Sequence, residues 1–518
     1  CRVLKLNARQ VALGTFIGIE AAALVFFVRI GRYAWFSQDE WDFLAARRAG
    51  DLGDLFRPHN EHWSTLPILV FRLLWQLFGL RTYVPYLVLV VTFHLIVAAL
   101  LRMVMRRAGV SPWFATAAAT TFALFGPGWF NIEYSFQLAW GATIALGLGY
   151  LMLVDHSGAV DRRDWIGLGL GLAALMCSGV ATTMIIVVGV AVLLRRGWRP
   201  ALLHAGTLGT VYVLWFAVIG HQTYTRRASL TEAARFTARE LSGTFGAIGG
   251  HLWGVGLALL ALLCVGLMLA WHSLRGAELR ERAAVPAALL FGAITFLFVT
   301  GLGRGADFAL GTPPGPASRY RYVAAVLILP VLAVAADAVG RRSKVLAPLA
   351  LALLVIGVPG NVRVAADTAP DWRIYKQLVL SAPQLPIFAA VPRSMHPDRF
   401  GNDWLTMGWL RDGIASGKIP KPDSLTPGQV AAFSLNALQP AAAAPRHPCV
   451  SLNHGAIRVL TPGQKLTLKG AVSIQYVPIR GTASQAHRIQ PGTYVAVAGP
   501  LRLRLSPASP SDAAVVCA

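Results

Sequence analysis

Negative charge is scarce in this chain. Its 518 residues include 24 aspartates and glutamates against 47 lysines and arginines, and charged residues of both signs make up only 14%. A soluble protein of this length needs far more polar surface, so the shortage excludes an ordinary water-soluble fold. Cysteine is scarce too, five in all, too few for a disulfide-scaffolded protein of this size. No repeat at a solenoid period is visible. The net charge of +23 comes without a soluble basic domain interleaved with aromatics, so nucleic-acid binding does not account for it.

Apolar sequence is what the chain has in quantity: 55% hydrophobic residues and a mean hydropathy of +0.55. A span takes about 20 apolar residues, fewer where helices are half-length. Such stretches recur through residue 358 and predict an all-α polytopic membrane domain over 1–358 with about eleven spans. The arginines collect in short loops, as at Arg102, Arg106 and Arg107, at Arg162 and Arg163, and at Arg341 and Arg342. Positive loops stay inside. With Arg2, Lys5 and Arg9 before the first span, the expected N-terminus is cytoplasmic in a multi-pass plasma-membrane protein. Loop 31–82 is then extracytoplasmic, with 66–80 as an interfacial helix. Segments 165–176 and 181–194 read as a hairpin of two short helices, and 230–241 as an amphipathic stretch in an outer loop.

Beyond 358 the composition changes. Residues 359–448 read as a mixed, Pro- and Ala-rich extracytoplasmic segment. Residues 449–518 break into short alternating runs such as KLTLKG and LRLRLS, which predict a small extracytoplasmic β-sandwich. Cys449 and Cys517 bracket it and suggest a disulfide in an oxidising compartment, whereas Cys177 and Cys264 read as packing residues. We read Cys1 as an ordinary first residue rather than a lipidated one.

Against the shortage of acids, 37–63 stands out. It holds Asp39, Glu40, Asp42, Asp51, Asp54 and Glu61, with His59 and His62 beside the last. On a helix Asp39 and Asp42 share a face, and neighbouring carboxylates raise one another's pKa, which suits one of them to accept a proton. Pairing with Arg47, Arg48 and Arg57 is an equal alternative. His59, Asn60, Glu61 and His62 suit hydrogen bonds to a substrate. The His-x-x-His spacing admits a divalent metal, but no third ligand supports one, and the sequence requires no cofactor. Arg304, Arg319 and Arg321, with Tyr320, form either a cradle for a lipid phosphate or a set of interfacial anchors. Asn131, Glu133 and Gln137 lie among aromatics, a mixture suited to sugars. Trp35, Trp41, Trp63, Trp129 and Trp140 offer stacking faces or an interface belt. Glu20 lies inside the first span, where an ionisable residue is a functional candidate.

DEWD at 39–42, PHNEHW at 58–63, NIEYSFQ at 131–137, the paired short helices and SRYRY at 318–322 together give a pattern that resembles the GT-C superfamily, polytopic glycosyltransferases that use polyprenyl-phosphate-linked sugars. The resemblance implies sugar transfer to a glycan or lipid-linked acceptor hydroxyl outside the cytoplasm. It implies Asp39 as general base, with Glu40 or Asp42 as substitutes. Two other classes compete: a transporter or flippase of lipid-linked sugars, which needs no base, and a non-catalytic cell-envelope assembly subunit whose β domain binds glycan.

Overall fold

A computed structural model describes residues 7–222, 228–273, 277–309, 314–397, 404–422, 425–441, 449–452, 455, 457–468, 472–479, 483–507 and 514–517. Helix α1 (Ala8–Ile30) begins at a capping box in which Asn7 and Gln10 exchange side-chain-to-backbone bonds. After it come α2 (Leu52–Phe56), capped by Asp51, and α3 (Thr65–Phe78). The helical region continues through α4 (Val84–Arg107), α5 (Pro112–Ala123), α6 (Trp129–Glu133), α7 (Leu138–Val154), α8 (Arg162–Leu175) and α9 (Ala181–Arg196). Then come α10 (Trp198–Ala201), α11 (Thr207–Val218), α12 (Leu230–Ile248), α13 (Val255–Ser273), α14 (Ala277–Ala309), α15 (Pro314–Arg342), α16 (Leu346–Val355) and α17 (Val358–Thr368).

Among the described residues, eight helical stretches are long and apolar enough to cross a membrane: Ala8–Tyr33, Val84–Arg107, Ser135–Val154, Trp198–Val218, Val255–His272, Glu281–Ala306, Ala317–Arg342 and Leu346–Gln384. The expected eleven is not reached by that measure. The remaining apolar segments form α5, α8 and α9, of 12, 14 and 16 residues. In α5 every residue from Phe114 to Ala123 is buried within the protein.

The chain divides into two compact units. One comprises Cys1–Ala34, Arg48–Phe71 and Val84–Pro370; the other comprises Trp35–Arg47, Arg72–Tyr83 and Asp371–Ala518. The first outer loop, expected to act as one piece, is therefore shared between units: DEWD belongs to the second and PHNEHW to the first.

In the second unit, α18 (Arg373–Ser381), α19 (Met407–Ala415) and α20 (Pro427–Ser434) precede the β region. Aromatic rings join the loop segments to these helices. Trp409 meets Trp41 at 5.9 Å and Trp75 at 4.8 Å, and Trp35 meets Tyr375 at 6.0 Å. Gly79 has φ +58, and a Cβ there would lie 2.1 Å from the Lys418 carbonyl oxygen, so only glycine closes this turn.

The strands are β1 (Leu438–Pro440), β2 (Cys449–Leu452), β3 (Ile457–Leu460), β4 (Lys465–Leu468), β5 (Val472–Tyr476), β6 (His487–Ile489), β7 (Gly492–Ala496), β8 (Leu501–Pro507) and β9 (Ala514–Cys517). They form two antiparallel sheets, ordered β1-β7-β4-β9-β2 and β3-β8-β5-β6. From β2 to β9 this is the strand order of a jelly roll, with β1 added at one edge. Leu501, Leu503 and Leu505 are buried while Arg502 and Arg504 alternate with them, so period-2 patterning selects the inner face. Cys449 and Cys517 are direct partners in the β2–β9 register. Their side chains lie outside the described residues, and so does the expected disulfide.

Candidate functional site

In the second unit, the three acids of DEWD have different surroundings. Glu40 is fully buried; its Oε2 accepts from the Ser37 amide at 2.7 Å and its Oε1 from the Tyr83 hydroxyl at 2.7 Å. Asp42 is buried and takes a two-pronged bond from Arg47, at 2.8 Å from Nε and 2.7 Å from Nη2. Both arrangements hold the turn together; the Asp42–Arg47 pair is the ion-pair alternative, whereas Glu40 is held by neutral donors. Asp39 is the half-buried member of the three. It follows Gln38, whose φ of +45 is a conformation non-glycine residues rarely adopt and which redirects the chain at this point. The indole Nε1 atoms of Trp35 and Trp41 are buried here without a hydrogen-bond partner.

In the first unit, PHNEHW folds into a two-residue hairpin. His59 and His62 exchange both backbone bonds at 3.0 Å, with Asn60 at φ +50 in the turn, a position asparagine tolerates. Residues paired in this way present their side chains on one face. The His59 ring meets Phe136 at 4.9 Å and the His62 ring meets Trp140 at 6.2 Å. The Gly179 amide donates to His62 Nδ1 at 3.3 Å, and a Cβ on Gly179 would lie 2.8 Å from that nitrogen. The Cys-Ser-Gly-Val link between α8 and α9 thus makes room for the imidazole. Burial pushes the His62 pKa down to about 4; Glu61 works against the shift, and His59, Arg319 and Arg304 add to it.

The arginines separate into three cases. Arg321 is bound to Glu240, Nε to Oε2 at 3.0 Å, and that carboxylate is fully buried; burial raises Glu240 and Arg321 opposes the rise. Arg304 reaches Glu61 at 3.0 and 3.1 Å in a half-exposed pair. Arg319 makes no hydrogen bond or ion pair among the described residues, and its Nε is buried without a partner. Its guanidinium instead lies among rings: Tyr320 at 5.3 Å, Phe130 at 5.8 Å and Trp140 at 5.9 Å. The start of α15 is tied to the 126–134 turn by the Ser318 hydroxyl, which donates to the Pro127 carbonyl at 2.6 Å.

That turn supplies the remaining polar groups. Asn131, Glu133 and Gln137 are each only 1% exposed. Both amide atoms of Asn131, both carboxyl oxygens of Glu133 and Oε1 of Gln137 have no hydrogen-bond partner among the described residues. Burial pushes the Glu133 pKa up to about 8, so at neutral pH it is mostly protonated and can donate. Buried polar atoms left open are costly, and several on one short turn mark a place built for a hydrogen-bonding ligand.

The sequence-chosen residues His59, Glu61, His62, Arg304 and Arg319 are brought into one neighbourhood, whereas Arg321 is taken up by Glu240. Gly179 and Glu240 were missed. A lone glycine between two short helices was the available signal for the first; Glu240 sits in an amphipathic helix and carries no local signal. No family model, curated protein or solved structure matches this chain.

Proposed function

We propose that the chain is a membrane glycosyltransferase that moves a sugar from a polyprenyl-phosphate donor to an acceptor hydroxyl on the extracytoplasmic face, with inversion. The observation that carries this reading is the first unit's set of open groups: among the described residues, Arg319 has no ion-pair partner and is ringed by Tyr320, Phe130 and Trp140, and buried Asn131, Glu133 and Gln137 carry unsatisfied atoms. A phosphate takes the guanidinium, and sugar hydroxyls take the amides and carboxyl. The acceptor hydroxyl gives its proton to a general base, the role that the GT-C resemblance gives to Asp39, as its oxygen bonds the anomeric carbon. The bond from that carbon to the phosphate breaks, and polyprenyl phosphate leaves with its charge held by Arg319. On this reading the basic loops are cytoplasmic, and the β domain, closed by a Cys449–Cys517 disulfide, lies outside.

The test is transfer from a radiolabelled polyprenyl-phosphate sugar by the full chain in proteoliposomes. Asp39→Asn is expected to lower turnover by at least 100-fold, the low end of a general base's contribution, with folding kept. Arg319→Gln raises the KM for donor. Retained turnover in Asp39→Asn rejects the assignment. A flippase is the second reading, favoured by Glu20, whose Oε1 is buried in α1 without a partner. It predicts that the lipid-linked sugar still crosses the bilayer in Asp39→Asn.

A further inference from the structure

A cavity lies at the other end of the first unit, where the basic loops gather. It measures about 850 Å³ and lies between α13, α14 and α15, beside the turn after α4. Helices α13 and α15 touch at Gly266, where a Cβ would lie 2.3 Å from the Ala335 carbonyl oxygen. The cavity beside this contact is lined by apolar side chains that include Leu267, Leu269, Leu290, Val331 and Val334. At its basic end it is lined by Arg282, Arg341 and Arg342, with His272 and, among the described lining residues, the carboxylate of Asp337; Arg282 is itself engaged and also borders Asp155 and Glu281. Asp337 is already engaged, by Arg341 at 2.7 Å and by the Ser111 amide at 3.1 Å. Arg342 is exposed. Arg282 crosses Gly109, which has φ +86 and would bring a Cβ 3.6 Å from the guanidinium.

We infer that this cavity holds an anionic glycerophospholipid of the leaflet at the basic end, with its phosphate between Arg282 and Arg342 and an acyl chain in the groove between α13 and α15. Among the described lining residues arginines outnumber carboxylates, and Arg342 is exposed at the basic end, which favours a negative head over a zwitterionic one. The apolar lining distinguishes a lipid from free phosphate, which has no chain to bury. The volume is near the upper end of the ~300–1,000 Å³ typical of ligand pockets. This is not the proposed donor site: on α14, Arg304 follows Arg282 by twenty-two residues, roughly 33 Å at 1.5 Å per residue. The inference does not depend on the glycosyltransferase reading.

The test is native mass spectrometry of the delipidated full chain titrated with phosphatidylglycerol or phosphatidylcholine. The expected result is one tightly held phosphatidylglycerol and much weaker phosphatidylcholine. Arg282→Gln with Arg342→Gln is expected to weaken phosphatidylglycerol binding by about 30-fold, from the loss of two charge contacts. Ala287→Trp fills the groove from an exposed position, keeps every charge, and is expected to abolish the bound lipid. Equal retention of both lipids, displacement by millimolar inorganic phosphate, or full binding by Ala287→Trp each overturns the proposal. A polyprenyl phosphate that outcompetes phosphatidylglycerol overturns the choice of lipid.

Discussion

The two stretches richest in polar groups treat their buried atoms in opposite ways. Around DEWD, Glu40 and Asp42 are saturated by Ser37, Tyr83 and Arg47, all from their own unit. Around 126–137, Asn131, Glu133 and Gln137 are as deeply buried but leave atoms unbonded. A satisfied buried carboxylate holds a turn in shape. An unsatisfied one costs stability, and the cost is recovered only when something outside the chain bonds to it. The contrast separates scaffold from site without reference to any relative. Among the DEWD acids, Asp39 differs only in being half-buried where Glu40 and Asp42 are buried.

The strongest way to break the contrast is to unpair Asp42. Arg47→Met removes one side of a pair that is 2% and 1% exposed. An uncompensated buried carboxylate costs about 3–5 kcal/mol. The variant is expected to lose that much stability, seen as a large fall in the thermal midpoint in detergent. The double variant Arg47→Met, Asp42→Leu, with no charge left to bury, recovers most of it. A small loss in the single variant would mean that the pair does not hold the turn.

The opposite sign is expected on the other turn. Glu133 is shifted up from 4.5 to about 8. Between those values the unfolded chain has released a proton that the folded chain keeps. Stability therefore falls as pH rises from about 4.5 to 8 and levels off above, where the folded carboxyl ionises too. Glu133→Gln flattens that slope. Asn131→Leu, which replaces an open amide by an apolar group of similar size, is expected to stabilise by about 1 kcal/mol while weakening donor binding. Thermal midpoints from pH 4 to 9 and donor KM check both. A destabilised Asn131→Leu would mean that the amide has partners in the folded protein.

Much of the fold was legible because it is encoded locally. Long apolar runs gave the eight long apolar helices, and alternation in LRLRLS marked β8, whereas the cap of α1 by Asn7 and Gln10 went unread. The short hairpin helices were legible by length, and α8 and α9 answer to it. What was not legible depends on pairing across the chain. Nothing near Arg321 announces Glu240, eighty-one residues earlier. Nothing in 37–63 announces that the chain divides between Arg47 and Arg48, because that boundary is set by what Trp41 and Trp75 pack against, namely Trp409. The candidate site was legible as residue types and not as commitments. Three arginines look alike in GRGADF and SRYRY, and only tertiary contacts leave one among aromatic rings with no ion pair among the described residues, one loosely held and one fixed.

The arginines give the finest division of the contrast and the smallest expected effect. Arg304 and Glu61 are 36% and 27% exposed, so solvent screens their attraction and the pair contributes about 0–1 kcal/mol. Arg304→Gln is therefore expected to move the thermal midpoint little, and to act, if Arg304 helps Arg319 hold a phosphate, on donor KM. Arg321→Gln is different because Glu240 is fully buried and must then shed its charge. Burial already raises that carboxyl's pKa and Arg321 holds the rise in check, so removing the arginine lets protonation relieve part of the loss. Its cost accordingly grows as pH rises, whereas that of Arg304→Gln stays small throughout. A pH-independent, equal loss in both variants would show that exposure does not sort these arginines into loosely held and fixed.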